Sequence, residues 1–238
     1  MSERDPAYRM PRPKKGEVLL FRVFLPAARG VVEDTLFPLL SSDEREKANC
    51  FRRAEDRTAS IATRGTLRRL LGEMTGRPPE SLRFRYSETG KPLLDHSRAP
   101  VFSVSHSGDW ALLSFVPEGE SVGVDVERPK VRHTLWSIAD RWFSEEERGL
   151  LRSAPDEGEA FLRIWTRKEA FVKARGSALF RELSRVCVWP GKVREIDGTD
   201  WHFENVPMEN GYVASVAASR PIERLDSIDL KEQSAWRS

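Results

Sequence analysis

The chain has 238 residues, 39% hydrophobic and 32% charged, enough apolar material for one large domain or two modest ones. Lys and Arg number 39 against 37 Asp and Glu, a formal charge of +2. That balance argues against a nucleic-acid partner but leaves room for a local basic pocket around a phosphorylated ligand. Cys50 and Cys187 are too few for a disulfide framework or a Cys-rich zinc site and are expected as buried, reduced thiols. No run approaches the ~20 apolar residues of a membrane span, and the polar, basic, Pro-rich start lacks a secretory segment. A cytoplasmic protein without a membrane partner is expected.

In chain order, residues 1–15 read as a flexible arm and 18–25 as a strand. Ser41 or Ser42 caps a charged helix through about Cys50, with Asp43 and Glu44 in its first turn. Residues 57–72 follow a helical period, with Ile61, Leu67, Leu70 and Leu71 apolar and Arg64, Arg68 and Arg69 between them. A short strand at 82–86 precedes a turn at Gly90-Lys91-Pro92. Residues 101–104 and 110–116 are β-like, joined by a loop at 105–109, and 122–127 is another strand.

The second half repeats this order. Ser144 opens a helix, 159–174 is a long amphipathic helix, and strands follow at 186–189, 201–206 and 212–217. The tail, 220–238, is expected to form a short helix. One offset of 102 residues relates Ser42 to Ser144 and Gly108-Asp109-Trp110-Ala111 to Asn210-Gly211-Tyr212-Val213, which favours a duplication. The expected fold class is α+β, two similar lobes about a pseudo-twofold axis (16–117 and 118–238, linked near 117–121). The active site then lies in the cleft between them.

The sharpest local signal is Gly123-Val124-Asp125-Val126-Glu127. Alternation puts Asp125 and Glu127 on one face of a strand, where they repel unless water or a cation separates them. An edge strand with a solvated face is the plain alternative. On the long helix Glu169 and Lys173 are one turn apart, either a common surface pair or a functional one. Lys168 falls inside the apolar stripe, where it must snorkel, meet a buried acid or serve the site. Ser105 and His106 lie in the presumed loop, and Lys91 on a rigid turn suits a phosphate as a point charge. Arg52, Arg53, Arg57, Arg64, Arg68 and Arg69 make 52–69 locally basic.

Taken in order, these pieces resemble the Sfp-type 4′-phosphopantetheinyl transferases. The matching motifs are Ser-Asp-Glu-Arg-Glu-Lys at 42–47, Gly-Lys-Pro at 90–92, Phe-Ser-Val-Ser-His-Ser-Gly at 102–108 and Gly-Val-Asp-Val-Glu at 123–127. Arg-Trp-Phe-Ser-Glu-Glu-Glu at 141–147 and Trp-Thr-Arg-Lys-Glu-Ala-Phe-Val-Lys-Ala at 165–174 complete the set. The resemblance implies a magnesium-dependent enzyme that moves 4′-phosphopantetheine from coenzyme A to a serine of an apo carrier protein, releasing adenosine 3′,5′-bisphosphate. By the same resemblance Asp125, Glu127 and Glu169 are metal-binding positions. Glu169 is also the general-base position, and Lys173 stabilises charge on the transferring group. Lys47, Arg57 (or Arg53), Lys91, Ser105 and His106 match coenzyme-binding positions, with Lys47 and His106 at the 3′-phosphate and Lys91 at the adenine side and phosphates. Ser103 and Val104 lie in the same binding loop. Glu44 stands where some relatives have a basic residue.

Arg128, Lys130, Arg132 and His133 are expected to form part of the carrier-docking surface, with plain solvated charges as the alternative. A monomer is expected. The competing reading is a metal-dependent nuclease or phosphodiesterase, which the same acids would suit but which leaves Gly-Lys-Pro and Ser-His-Ser-Gly unexplained.

Overall fold

The computed structural model describes residues 11–88, 90–129, 134–176, 183–184, 186–189, 194–196 and 199–236. Its first strand, β1 (Glu17–Phe24), is apolar on both faces. Leu19, Phe21 and Val23 enter one core, and Val18 and Leu20 another. A strand of this kind must be covered on both sides. One cover is a pair of helices, α2 (Ser42–Asn49) and α3 (Ala54–Thr75), reached through the short α1 (Leu25–Ala28) and a π-helical turn, Val32–Leu36. A hairpin, β2 (Phe84–Tyr86) and β3 (Pro92–Leu94), leads into β4 (Val101–Ser107) and β5 (Trp110–Val116). In the first sheet β1, β5 and β4 are adjacent and antiparallel.

The second lobe repeats this plan. β6 (Val122–Glu127) is followed by α4 (Leu135–Trp142), α5 (Glu145–Ser153) and the long α6 (Glu157–Arg175). Then come β7 (Arg194–Ile196), β8 (Thr199–Val206) and β9 (Val213–Ala218). The order β6-β9-β8 mirrors β1-β5-β4, again antiparallel. The inner faces of the two sheets share a third core, built from Leu20, Trp110, Leu112, Val124, Val126, Tyr212 and Val216 among others. β6 therefore turns Val124 and Val126 into this core and its other face toward α6.

The helix openings refine the internal repeat. Ser41 and Ser144 are the N-caps, each in a capping box with the glutamate three residues on, Glu44 and Glu147. The offset at the helices is thus 103 rather than the 102 of the later turn, because the cap is Ser41 and not Ser42. Both capping glutamates are buried and meet a cation from their lobe's long helix. Glu44 pairs with Arg64 and Arg68. Glu147 pairs with Lys168 at 2.8 Å, both side chains fully buried. Lys168 thus meets a buried acid, and its remaining donors go to the Leu183 and Val186 carbonyls.

Several local expectations are corrected. Residues 186–189 form no strand; Glu147 accepts the Val188 N–H there instead. Cys50 is exposed and Cys187 half-buried. Ser105, His106 and Ser107 lie within β4, and the turn is only Gly108-Asp109, with Gly108 at φ +56°. The tail is not a helix throughout. It forms β10 (Arg224–Leu230), parallel to β1 in the first sheet, and then a 3₁₀ turn that buries Trp236, whose indole N–H donates to Thr66. Of the arm, 1–10 lie outside the described residues, while the Arg12 guanidinium donates to the Met74 carbonyl.

Removing one partner of a buried ion pair leaves an uncompensated charge, so Lys168→Met should lower the unfolding free energy by about 3–5 kcal/mol. Arg163→Met, which breaks an exposed pair with Glu159 one helical turn away, should cost under about 0.5 kcal/mol. Urea denaturation of the two variants checks both values, and equal costs would contradict this account of the pair.

Candidate active site

β6 ends the second sheet, so on one side its backbone N–H groups have no strand to bond. Serine hydroxyls on β4 take that place. The Val124, Val126 and Arg128 N–H groups donate to the Oγ of Ser103, Ser105 and Ser107 at 3.1, 3.4 and 3.1 Å. Two of these hydroxyls in turn donate a hydrogen bond to an acid on β6. Ser105 Oγ donates to Asp125 Oδ1 at 2.8 Å, and Ser107 Oγ to Glu127 Oε2 at 3.3 Å. The serines recur at every second residue, so all three leave the same face of β4.

On its other flank β6 meets α6 very closely. Gly123 makes this possible: a Cβ there would lie 1.8 Å from the Ala170 carbonyl oxygen. Nearby, the hydroxyls of Thr166 and Ser215 share a buried hydrogen bond of 2.9 Å. The helix thereby covers the face that bears Asp125, which is only 5% exposed; the edge strand with a solvated face is not what forms. Lys173 Nζ donates to Asp125 Oδ1 at 2.7 Å. The second oxygen, Oδ2, is buried and has no hydrogen-bond partner among the described residues.

The electrostatics of this cluster are those of crowded acids. Burial pushes the Asp125 pKa up, while the Lys173 ammonium and the Ser105 hydroxyl hold it back and Glu127 pushes with burial. Glu169, half-buried on α6, is raised to about 7, by burial first and then by the charge of Asp125 and, less, of Glu127, against the pull of Lys173. Asp125, Glu127, Glu169 and Lys173 thus act on one another from a strand and a helix distant in sequence. Among the described residues no three His, Cys, Asp or Glu side chains are gathered tightly enough to form a ready-made metal cage. The free buried oxygen of Asp125 and the mutual repulsion of the acids nevertheless suit a divalent cation that takes its other ligands from substrate and water.

The expected coenzyme-binding residues are scattered more widely. His106 leaves β4 on the face opposite Ser105 and is exposed. Its pKa is lowered by the protein packed around it and by Lys173, against the pull of Asp56 at the start of α3. Lys47 is exposed on α2. Arg57 lies over the Phe37 ring and pairs with Glu33. Ser105 and Lys91 are both engaged by the protein itself. Ser105 holds Asp125 and the β6 backbone. Lys91 is half-buried, its pKa lowered by burial to about 8, and its ammonium donates to carbonyls of the second lobe. Arg128 is exposed, while Lys130, Arg132 and His133 lie outside the described residues. Ser107 joins the site as well; its signal in the sequence is the serine at every second position of 103–107, which a loop assignment hides. A cavity of about 520 Å³ lined by Arg77, Arg85, Asp95, His96 and Glu118 contains none of these residues.

Comparison with known proteins agrees with the order of the lobes. Residues 33–118 match the family model described as 4′-phosphopantetheinyl transferase, N-terminal. Residues 121–217 match the 4′-phosphopantetheinyl transferase superfamily. The 4′-phosphopantetheinyl transferase HetI of a Nostoc strain is 35% identical over 85% of this chain and 88% of its own length. The chain belongs to the Sfp-type 4′-phosphopantetheinyl transferases. The transferase ffp of Bacillus subtilis is 28% identical over 79% of this chain and 86% of its own. A solved structure, the Thermotoga maritima holo-[acyl-carrier-protein] synthase, is 19% identical with a TM-score of 0.30, over 41% of this chain and 61% of that one.

This transferase therefore moves 4′-phosphopantetheine from coenzyme A to carrier proteins, and the nuclease reading is overturned. The family is typically magnesium-dependent. No helix among the described residues is long and apolar enough to cross a membrane.

The raised pKa of Glu169 has a sign that can be checked. Between its ordinary value of 4.5 and about 7, the folded, metal-free protein holds a proton that the unfolded chain releases. Stability from this group therefore falls as pH rises through that window. Glu169→Gln should flatten that descent relative to wild type. Chemical denaturation at stepped pH measures it, and an unchanged slope would show that the Glu169 pKa is not raised in the folded protein.

Proposed function

We propose that the transfer takes place between β6 and α6, with Asp125, Glu127 and Glu169 holding magnesium against the coenzyme A pyrophosphate. What carries this reading is Asp125: buried, hydrogen-bonded through one oxygen to Ser105 and Lys173, and left with its other oxygen free. Bound magnesium would neutralise pyrophosphate charge and polarise the phosphorus under attack. The protein's own part is then proton transfer and charge. Glu169, beside that metal on α6, is the group assigned to take the proton of the carrier serine hydroxyl. As the serine oxygen bonds to the phosphorus attached to pantetheine, the bond to the bridging oxygen breaks. Adenosine 3′,5′-bisphosphate leaves with that electron pair. Lys173, held at Asp125, offsets negative charge on the transferring phosphoryl group.

Lys47, His106 and Arg57 on the first lobe are proposed for the coenzyme's 3′-phosphate, at the side of the cleft where α3 begins. The lobes are taken as 16–117 and 118–238, the latter lending β10 to the former's sheet. A cytoplasmic monomer completes the reading.

Mass spectrometry of an apo carrier protein incubated with coenzyme A and magnesium tests it. Asp125→Asn and Glu169→Gln, chosen to keep shape because Asp125 is buried, should each lose well over ten-fold in rate, and Lys173→Ala less. A variant that folds and keeps more than about a tenth of the rate, under ~1.4 kcal/mol in barrier, would remove that residue from the mechanism.

A further inference from the structure

The turn between β2 and β3 carries one side chain of the first lobe into the second. Lys91 Nζ donates to the carbonyls of Val122 at 3.1 Å, Lys173 at 2.7 Å and Ala174 at 3.4 Å. An ammonium has three N–H donors, and here it faces three acceptors. The Lys173 and Ala174 carbonyls belong to the last turn of α6, where helix carbonyls lack intrahelical partners and the dipole is negative. The Val122 carbonyl opens β6, three residues before Asp125. The turn itself is braced: the Lys91 N–H donates to Ser87 Oγ, and the Ser87 N–H to the Lys91 carbonyl.

Toward the same end of α6, helix and strand approach closely at Gly123. A Cβ at Gly123 would meet the Ala170 carbonyl oxygen at 1.8 Å and the Ala174 nitrogen at 2.5 Å. Such contact leaves the last turn little freedom to slide, provided something closes it from outside. Lys91 does so, one residue from Gly123 on β6 and on the very carbonyl of Lys173. We propose that Lys91 is a positioning residue for the transfer, its ammonium fixing the last turn of α6 against β6 so that Lys173 and Glu169 meet Asp125. This rests on the site reading given above.

The test uses the full chain with Lys91→Met and Lys91→Arg. Rates are resolved into kcat and KM for coenzyme A, and hydrogen exchange is followed in the last turn of α6 with α3 as internal reference. Lys91→Met should lower kcat about ten-fold or more while KM moves less than about two-fold, the pattern of a lost transition-state arrangement. Exchange in the last turn of α6 should quicken while α3 stays as it was. Lys91→Arg, which still offers donors to the carbonyls, should recover part of kcat. A raised KM with unchanged kcat would overturn the proposal in favour of a phosphate contact, and unchanged kinetics with unchanged exchange would overturn it outright. If Lys91→Met does not fold, Lys91→Arg decides by the same split. Exchange needs no turnover, so a failure of the site reading, seen as wild-type protein that leaves the carrier unmodified, is told apart from a failure of the latch.

Discussion

The structure depends on how one strand edge is satisfied. β6 has a backbone partner in β9 on one side only, and unsatisfied N–H groups beneath a packed helix would cost free energy comparable to lost hydrogen bonds. The hydroxyls of Ser103, Ser105 and Ser107 satisfy them in place of a backbone ladder. A hydroxyl both accepts and donates, so the same atoms that join the lobes also hold Asp125 and Glu127. Lobe association and acid placement are therefore one arrangement of hydrogen bonds.

The second recurring device is the capping-box glutamate. In each lobe it closes a helix N-terminus with one oxygen and meets a buried cation from the long helix with its carboxylate. This explains why Glu44 carries an acid where a phosphate contact would call for a base: its environment is Arg64 and Arg68, not solvent. The two lobes have kept the box and diverged in the cation. Arg68 reaches the carbonyls of Pro79 and Leu82, and Lys168 those of Leu183 and Val186. A buried cation thus anchors the chain segment that follows each long helix.

Around the acids, attraction and repulsion are arranged in tiers. Lys173 and Ser105 take one oxygen of Asp125, which keeps that buried carboxylate oriented while its other oxygen stays free. Glu169, half-buried and then facing the residual negative charge, holds its proton to about pH 7. The metal ligands and the base proposed for the transfer are thus drawn from one small group of side chains. The geometry of that group is set by the close approach at Gly123 and by Lys91 on the carbonyls beyond it.

Periodicity made the frame legible. Strands at Trp110–Val116 and Val122–Glu127 stand where the sequence pattern places them, and both long helices extend only a few residues past their expected ends. Ordered motifs identified the family, and alternation alone put Asp125 and Glu127 on one face. Three features escaped because they depend on partners far along the chain. The tail reads as a mixed, faintly helical segment until β1 offers it a free edge to pair with. Ser105 reads as a loop residue until β6, twenty positions on, supplies an N–H group for its hydroxyl. Lys91 looked like a free charge until α6 and β6 brought three carbonyls to it. Local pattern, which sequence carries, determines which faces are buried; which buried polar atom meets which is decided only when distant segments pack, because a hydrogen bond depends on distances that periodicity does not encode.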